Sequence, residues 1–331
     1  MTQSNSTTTP SPSAGMRLGM VLTPPTDQNL TLAAQVGVTD VVGRYQQVDS
    51  EEKFAREAAR MESFGLRLSV VEGYLPMRAI ILGAGDRDAA ISEIRDLLQL
   101  MKKFGAGTLC YNFMLSDWTR TSFRLPARGG AWTNGFRLED SADQRLEEED
   151  CRTRAQLWEN LNYFLERILP VAEDCGVRFA AHPDDPPLPV LHGSEQILYS
   201  PESFDRLLNL SDSPAHGVCF CQANFGLMGA DLPAAIRNFG KRIHYIHFRD
   251  VEGTPENFTE TFHDNGPTDM AEAMRAYEEA GFSGVIRPDH VPLLANEDGD
   301  ATGYTTNGRL FAAGYIRGLI DAVGGNLLPG K

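Results

Sequence analysis

The run Arg178-Phe179-Ala180-Ala181-His182, followed at once by Pro183-Asp184-Asp185-Pro186-Pro187, shows how the whole chain is built. Its apolar part is too short for a helix and lacks polar alternation, as expected of a parallel strand covered on both faces. The prolines behind it stop the strand, and Asp before Pro favours a tight turn. Where the strand stops, the chain carries a histidine. Runs of the same kind recur at Arg17–Leu22, Asp40–Arg44, Arg67–Glu72, Thr108–Asn112, Gly217–Cys221, Ile243–Arg249 and Gly284–Asp289.

Between these runs lie amphipathic stretches with helical spacing. Asp86–Phe104 places Ile91, Ile94, Leu98 and Met101 on one face and closes with Lys102, Lys103 and Gly105, a good stop signal. Cys151–Cys175 carries Leu157, Leu161, Phe164, Leu165 and Ile168 ahead of Gly176, and Pro170 is expected to bend or shorten it. Asp269–Ala280 and Gly308–Ala322 follow the same logic. Eight such units predict an α/β fold, a (β/α)8 TIM barrel forming one domain over residues 16–331. The rival is a doubly wound open sheet. Against it, the turn from Leu22 to Gln28 has prolines and no glycine-rich phosphate loop. Residues 116–150 are too long for an ordinary loop and follow strand 4, on the face where barrel enzymes keep their sites. They are expected to form a lid or a pocket wall. Residues 1–15, rich in Ser, Thr and Pro and without the pattern of a signal peptide, are expected to be a disordered tail.

The net charge of -15 argues against nucleic acid as a partner and against anionic membranes. An anionic substrate would need a local positive centre, such as a metal or arginines. The acidic run Glu147 to Asp150 suits a solvated helix start. Five cysteines without regular spacing fit a reducing compartment, and no stretch is apolar for long enough to span a bilayer. The expected location is the cytoplasm; homo-oligomer formation stays open.

Four residues of metal-ligand type close four consecutive strands: His182, Cys221, His247 and Asp289. In a barrel the C-terminal ends of neighbouring strands converge on one mouth, so the four would meet there. Strand parity supports the choice. His244 and His247 differ by three and face opposite sides, while Cys219 shares a face with Cys221 one layer deeper. His290 faces away from Asp289 only if the strand runs on unbroken. Each residue also has an ordinary reading: a loop histidine, a buried small cysteine, a locally paired histidine, a loop-start acid. Asp184 and Asp185 read first as turn residues.

Longer stretches resemble the mannonate dehydratase family. They are Val70-Val71-Glu72, Cys110-Tyr111-Asn112-Phe113-Met114, Asp117-Trp118-Thr119-Arg120-Thr121, His182 to Pro187, His247-Phe248-Arg249-Asp250-Val251 and Arg287-Pro288-Asp289-His290. The resemblance runs over nearly the whole chain after Met16. It implies a (β/α)8 barrel that converts D-mannonate to 2-keto-3-deoxy-D-gluconate with a divalent metal, Mn(II) first and Fe(II) second. It places the metal on His182, Cys221, His247 and Asp289, and a catalytic tyrosine on Tyr304. The softness of one thiolate and two imidazoles would by itself favour Zn or Fe. The chain departs from the family pattern at Asp289-His290-Val291-Pro292, at Gly43-Arg44-Tyr45-Gln46-Gln47 and at Gln222-Ala223-Asn224. These departures bear on the substrate more than on the metal.

Dehydration of a sugar acid removes a proton beside the carboxylate and a hydroxyl from the next carbon. Tyr304 and His290 are the candidate acid–base pair. Arg249 and Arg287 could neutralise substrate charge, and Asn112 and Glu72 could bind sugar hydroxyls; Arg287 reads equally as a core ion pair. Trp118 reads equally as packing or as a sugar platform. Two rivals remain at this level: a metal-dependent sugar isomerase or epimerase (or a lyase on a related uronate or keto-sugar), and a non-catalytic sugar-binding barrel.

Overall fold

The computed structural model describes residues 15–44, 50–73, 75–116, 119–297 and 303–324. The expected N-terminal tail, apart from Gly15, and Trp118 therefore lie outside the described residues.

Eight parallel strands close into a barrel. They are β1 (Arg17–Val21), β2 (Asp40–Arg44), β3 (Arg67–Glu72), β4 (Thr108–Tyr111), β5 (Arg178–Ala181), β6 (His216–Cys221), β7 (Ile243–Phe248) and β8 (Val285–Pro288). Each pairs with its sequence neighbours, and β8 closes on β1 through Arg17 opposite Val285. The strands are buried on both faces, which is why their sequences read as apolar runs. One residue from every strand points inward to form a single layer: Val21, Val42, Val70, Cys110, Ala180, Cys219, Tyr245 and Val285.

That layer positions the site. Side chains two residues on share its face but stand one step nearer the C-terminal mouth. Those positions carry Arg44, Glu72, Asn112, His182, Cys221, His247 and Arg287. An apolar plug thus lies beneath a polar floor. The register agrees, with Cys221 opposite His247 and His247 opposite Arg287.

The outer helices follow from amphipathic spacing and capping. Arg87–Phe104 and Arg154–Cys175 pack side by side, and each ends on a left-handed glycine, Gly105 (φ 78°) and Gly176 (φ 66°). Thr153 and Gln156 form a capping box at the start of the second helix, three residues later than expected. The acidic run before it makes its own short turn, Glu148–Asp150. Pro170 does not shorten this helix, which continues to Cys175. The missing N–H costs one hydrogen bond, while Leu169, Ala172 and Cys175 around it remain buried.

Residues 116–150 hold the hairpin Ser122–Pro126 and Trp132–Arg137. It does not stand alone. A second hairpin after β7, Val251–Thr254 and Asn257–Glu260, pairs with it to give one four-stranded antiparallel sheet. The sheet joins the loops after β4 and β7 above the barrel.

Candidate metal centre

His182 follows the last residue of β5, Cys221 ends β6 and His247 is the last residue but one of β7. One donor atom from each lies within 4.8 Å of the other two, and all three side chains are buried. Their hydrogen bonds decide which ring nitrogens carry protons. His182 Nδ1 lies 2.7 Å from the carbonyl oxygen of Pro183, which can only accept, so Nδ1 carries the hydrogen. His182 Nε2 is then left with its lone pair. His247 Nε2 lies 3.2 Å from Glu72 Oε2 and donates to that carboxylate, which leaves the lone pair on Nδ1.

These two lone-pair nitrogens face each other at 3.1 Å. Asp289 Oδ2, also an acceptor, lies 3.5 Å from His247 Nδ1. Burial lowers the pKa of His182, which disfavours a second proton on this ring. A cation between the two nitrogens would satisfy both lone pairs. The 3.1 Å separation suits two nitrogens each ~2.1 Å from one ion. His182, Cys221 and His247 therefore fit a divalent metal, and Asp289 stands beside them through its 3.5 Å approach to His247 rather than within the three-donor cluster.

A dense ion network supports this set. Arg287 grips Glu72 with one nitrogen at 2.9 and 3.2 Å, reaches Asp289 Oδ1 at 2.6 Å with another, and donates to Tyr245 Oη at 2.7 Å. It is buried at the floor, as a core ion pair that also borders the cavity. Burial raises the Glu72 pKa, but Arg287 and then His247 outweigh it and hold the carboxyl well below its usual range. Asp289 behaves likewise, with burial opposed by Arg287, His290, His247 and Arg249.

Arg249, expected to meet substrate charge, is fully enclosed. It pairs with Asp185 at 2.8 Å, Asp289 at 3.1 Å and Glu260, and donates to Asn224 at 3.2 Å. Arg120 binds Asp185 at 3.0 Å and Glu260 at 2.7 Å. Asn112 sits 3.3 Å from His182 Nδ1. Since Nδ1 already donates to Pro183, the amide fits better with its oxygen turned to the ring.

Tyr304 donates to Asp289 Oδ1 at 3.1 Å, and burial raises its phenol pKa. Arg44 stacks over the Tyr304 ring at 4.2 Å and pairs with Glu72 at 3.3 Å. The His290 ring lies 5.3 Å from that of Tyr304. The strand ends at Pro288, so strict alternation lapses there and His290 turns into the cavity. Its Nδ1 lies 3.3 Å from Glu260 but has no hydrogen-bond partner.

Arg44, Glu72, Asn112, His182, Asp185, His247, Arg287, Asp289, His290 and Tyr304 all line one cavity. Among the described residues its free space is about 20 Å³, the room of about one water. A larger ligand must displace part of the lining, and the Arg44 side chain, 24% exposed, is the most open of the ion-paired groups.

Sequence reasoning passed over Arg44, Arg120, Asp185 and Glu260. Arg44 has the parity signal, two residues beyond Val42. Asp185 reads as a turn residue because its partners lie far away in sequence. Four carboxylates (Glu72, Asp185, Glu260, Asp289) meet four guanidiniums (Arg44, Arg120, Arg249, Arg287) in one ion-pair network.

Comparison with known proteins adds a family. The family model for D-mannonate dehydratase (UxuA) matches residues 24–153 and 142–327. Mannonate dehydratase 2 of Halalkalibacterium halodurans is 33% identical over 314 aligned positions, covering 82% of this chain and 87% of that protein. Mannonate dehydratase of Thermotoga petrophila is 34% identical, covering 87% and 91%. The crystal structure of mannonate dehydratase from Streptococcus suis serotype 2 superposes with a TM-score of 0.85 at 28% identity, covering 94% of each chain. An L-ribulose 3-epimerase superposes at a TM-score of 0.61 with 14% identity, 93% of this chain and 95% of that one, and shares the fold alone.

Proposed function

The chain belongs to the D-mannonate dehydratase family, and from that premise we propose that it is a metal-dependent hydro-lyase converting D-mannonate to 2-keto-3-deoxy-D-gluconate and water. The ion is Mn(II), with Fe(II) as second choice. The observation that carries the reading is the pair of ring nitrogens, His182 Nε2 and His247 Nδ1, held 3.1 Å apart with the buried Cys221 beside them.

Charge favours a sugar acid. With four carboxylates set against four guanidiniums in the ion-pair network, a divalent ion with one thiolate from Cys221 leaves one positive charge. A monocarboxylate neutralises it, whereas a neutral sugar would not. When bound, the ion supplies Lewis-acid stabilisation of the negative charge that develops on the substrate carboxylate.

The chain's own groups do the proton work. Tyr304 carries a phenolic hydrogen, now donated to Asp289, and suits the acid that protonates the departing hydroxyl. His290 has an unpartnered Nδ1 and suits the base that takes the proton beside the carboxylate. Arg287 and Glu72 orient the ligands: one fixes Asp289, the other fixes the His247 ring. Asn112 and Arg44 line the cavity where sugar hydroxyls would lie. Among the described residues no helix is long and apolar enough to cross a membrane, and we place the enzyme in the cytoplasm with a small sugar acid as its partner.

The test is incubation of the chelator-treated protein with D-mannonate, with and without added Mn(II) or Fe(II), assaying for the 2-keto-3-deoxy acid. Product only in the metal-supplemented reactions is expected. Absence of product with either ion, or full turnover in the presence of chelator, would sink the proposal.

A further inference from the structure

The inward layer beneath the mouth has one anomaly. Four of its eight positions are valine, yet β4 and β6 contribute Cys110 and Cys219. Their sulfur atoms and one imidazole nitrogen of His247 all lie within 4.8 Å of one another, and all three residues are buried. We propose that Cys110, Cys219 and His247 form a second cation site, one layer below the first, that takes soft thiophilic ions such as Cd(II) or Zn(II).

The ordinary reading of two such cysteines is packing as small hydrophobes. Two features go beyond it. Cys110 lines the cavity at the mouth, so the lower set lies next to the space an ion would enter. His247 belongs to both donor sets, so the lower set has an imidazole already fixed in place by Glu72.

Charge and softness define the ligand. Two thiolates cancel a divalent ion and a neutral imidazole adds nothing, so the complex is neutral in a layer where a bare charge would be very costly. The nearby hard oxygen ligand, Glu72, is tied to Arg287 at 2.9 Å. A sulfur-rich set without a free carboxylate selects soft ions over Mn(II). Binding releases both thiol protons. It also affects the upper set whichever nitrogen is used: through Nδ1 it takes His247 from that set, and through Nε2 it displaces the hydrogen donated to Glu72.

The inference does not need the upper site to be catalytic. Its test is titration of the full-length protein with Cd(II), following the ultraviolet thiolate-to-Cd(II) charge-transfer band. In Cys221→Ser, which removes the sulfur of the upper set, the band should persist. In Cys219→Ala/Cys221→Ser it should lose most of its intensity, Cys151 and Cys175 contributing equally to both. Cys110→Ala/Cys221→Ser provides the same reading should the other double variant not fold. A band in Cys221→Ser no stronger than in the double variants would overturn the lower site. A band unchanged between the wild type and Cys221→Ser would instead count against Cys221 as a ligand, so the two failures are distinguishable.

Discussion

Arg249 and Asp185 face each other at 2.8 Å with almost no exposure, and neither stands alone. Arg249 also holds Glu260, Asp185 also holds Arg120, and Arg120 returns to Glu260. The circuit joins the loops after β4, β5 and β7, so the mouth keeps its shape through buried charge. Arg249→Met should leave Asp185, Glu260 and Asp289 short of a partner and cost ~3 kcal/mol or more of stability. Urea unfolding measures this; a loss below ~1 kcal/mol would mean that the circuit rearranges easily.

Glu72 reaches the metal set through the His247 ring and, by way of Arg287, through Asp289. Glu72→Gln should keep the fold, because Arg287 retains Asp289 and Tyr245. It should weaken binding of the ion by about 10–100-fold, as loss of a carboxylate behind a ligating histidine does. Competition with a chelator reads the affinity. An unchanged affinity would place the ion elsewhere.

Tyr304→Phe removes one hydroxyl that donates to Asp289. Stability should change by ~1 kcal/mol or less. Turnover should fall by ~100-fold or more if the phenol supplies a proton in the reaction. The check is kcat measured beside metal content, and near-normal kcat with a full complement of metal removes Tyr304 from the chemistry.

Acid should unfold the protein in two stages. Burial holds His216, His244 and His263 near a pKa of about 4, well under their unfolded value of ~6.5. Because the folded pKa is depressed, the unfolded chain binds protons first as pH drops. Stability is therefore intact above pH ~6.5 and declines between there and pH ~4, each histidine contributing up to ~1.4 kcal/mol per pH unit. Glu72, Asp185 and Asp289, also held below their ordinary values, extend the loss under pH ~4. Urea midpoints at pH 8, 6 and 5 test the first stage, and equal midpoints at pH 8 and 5 would contradict it.

The barrel was largely legible because its strands are local objects. Asp40–Arg44 and Arg67–Glu72 match their expected bounds, and the others differ by a residue or so at an end. Parity then carried His182, Cys221 and His247 to one face without any tertiary information. The inserted sheet was not legible. Its central pairing sets Asn257 against Arg137, and nothing in either hairpin alone names the other. Asp185 was obscured for the same reason: an acid before proline looks like a turn, and only the fold brings Arg120 and Arg249 to it. His290 escaped strict alternation because the strand had already stopped at Pro288.

That shared sheet ties two parts of the chain into one inheritable unit. The hairpin 122–137 offers its inner edge to 257–260, and each segment, deprived of the other, would expose a row of unpaired amides and carbonyls. Neither could be trimmed, lengthened or grafted separately without leaving an adhesive border, and Glu260 would lose its anchorage with it. Variation among natural or engineered versions of this enzyme should therefore accumulate in matched changes on both hairpins, even though more than a hundred residues separate them.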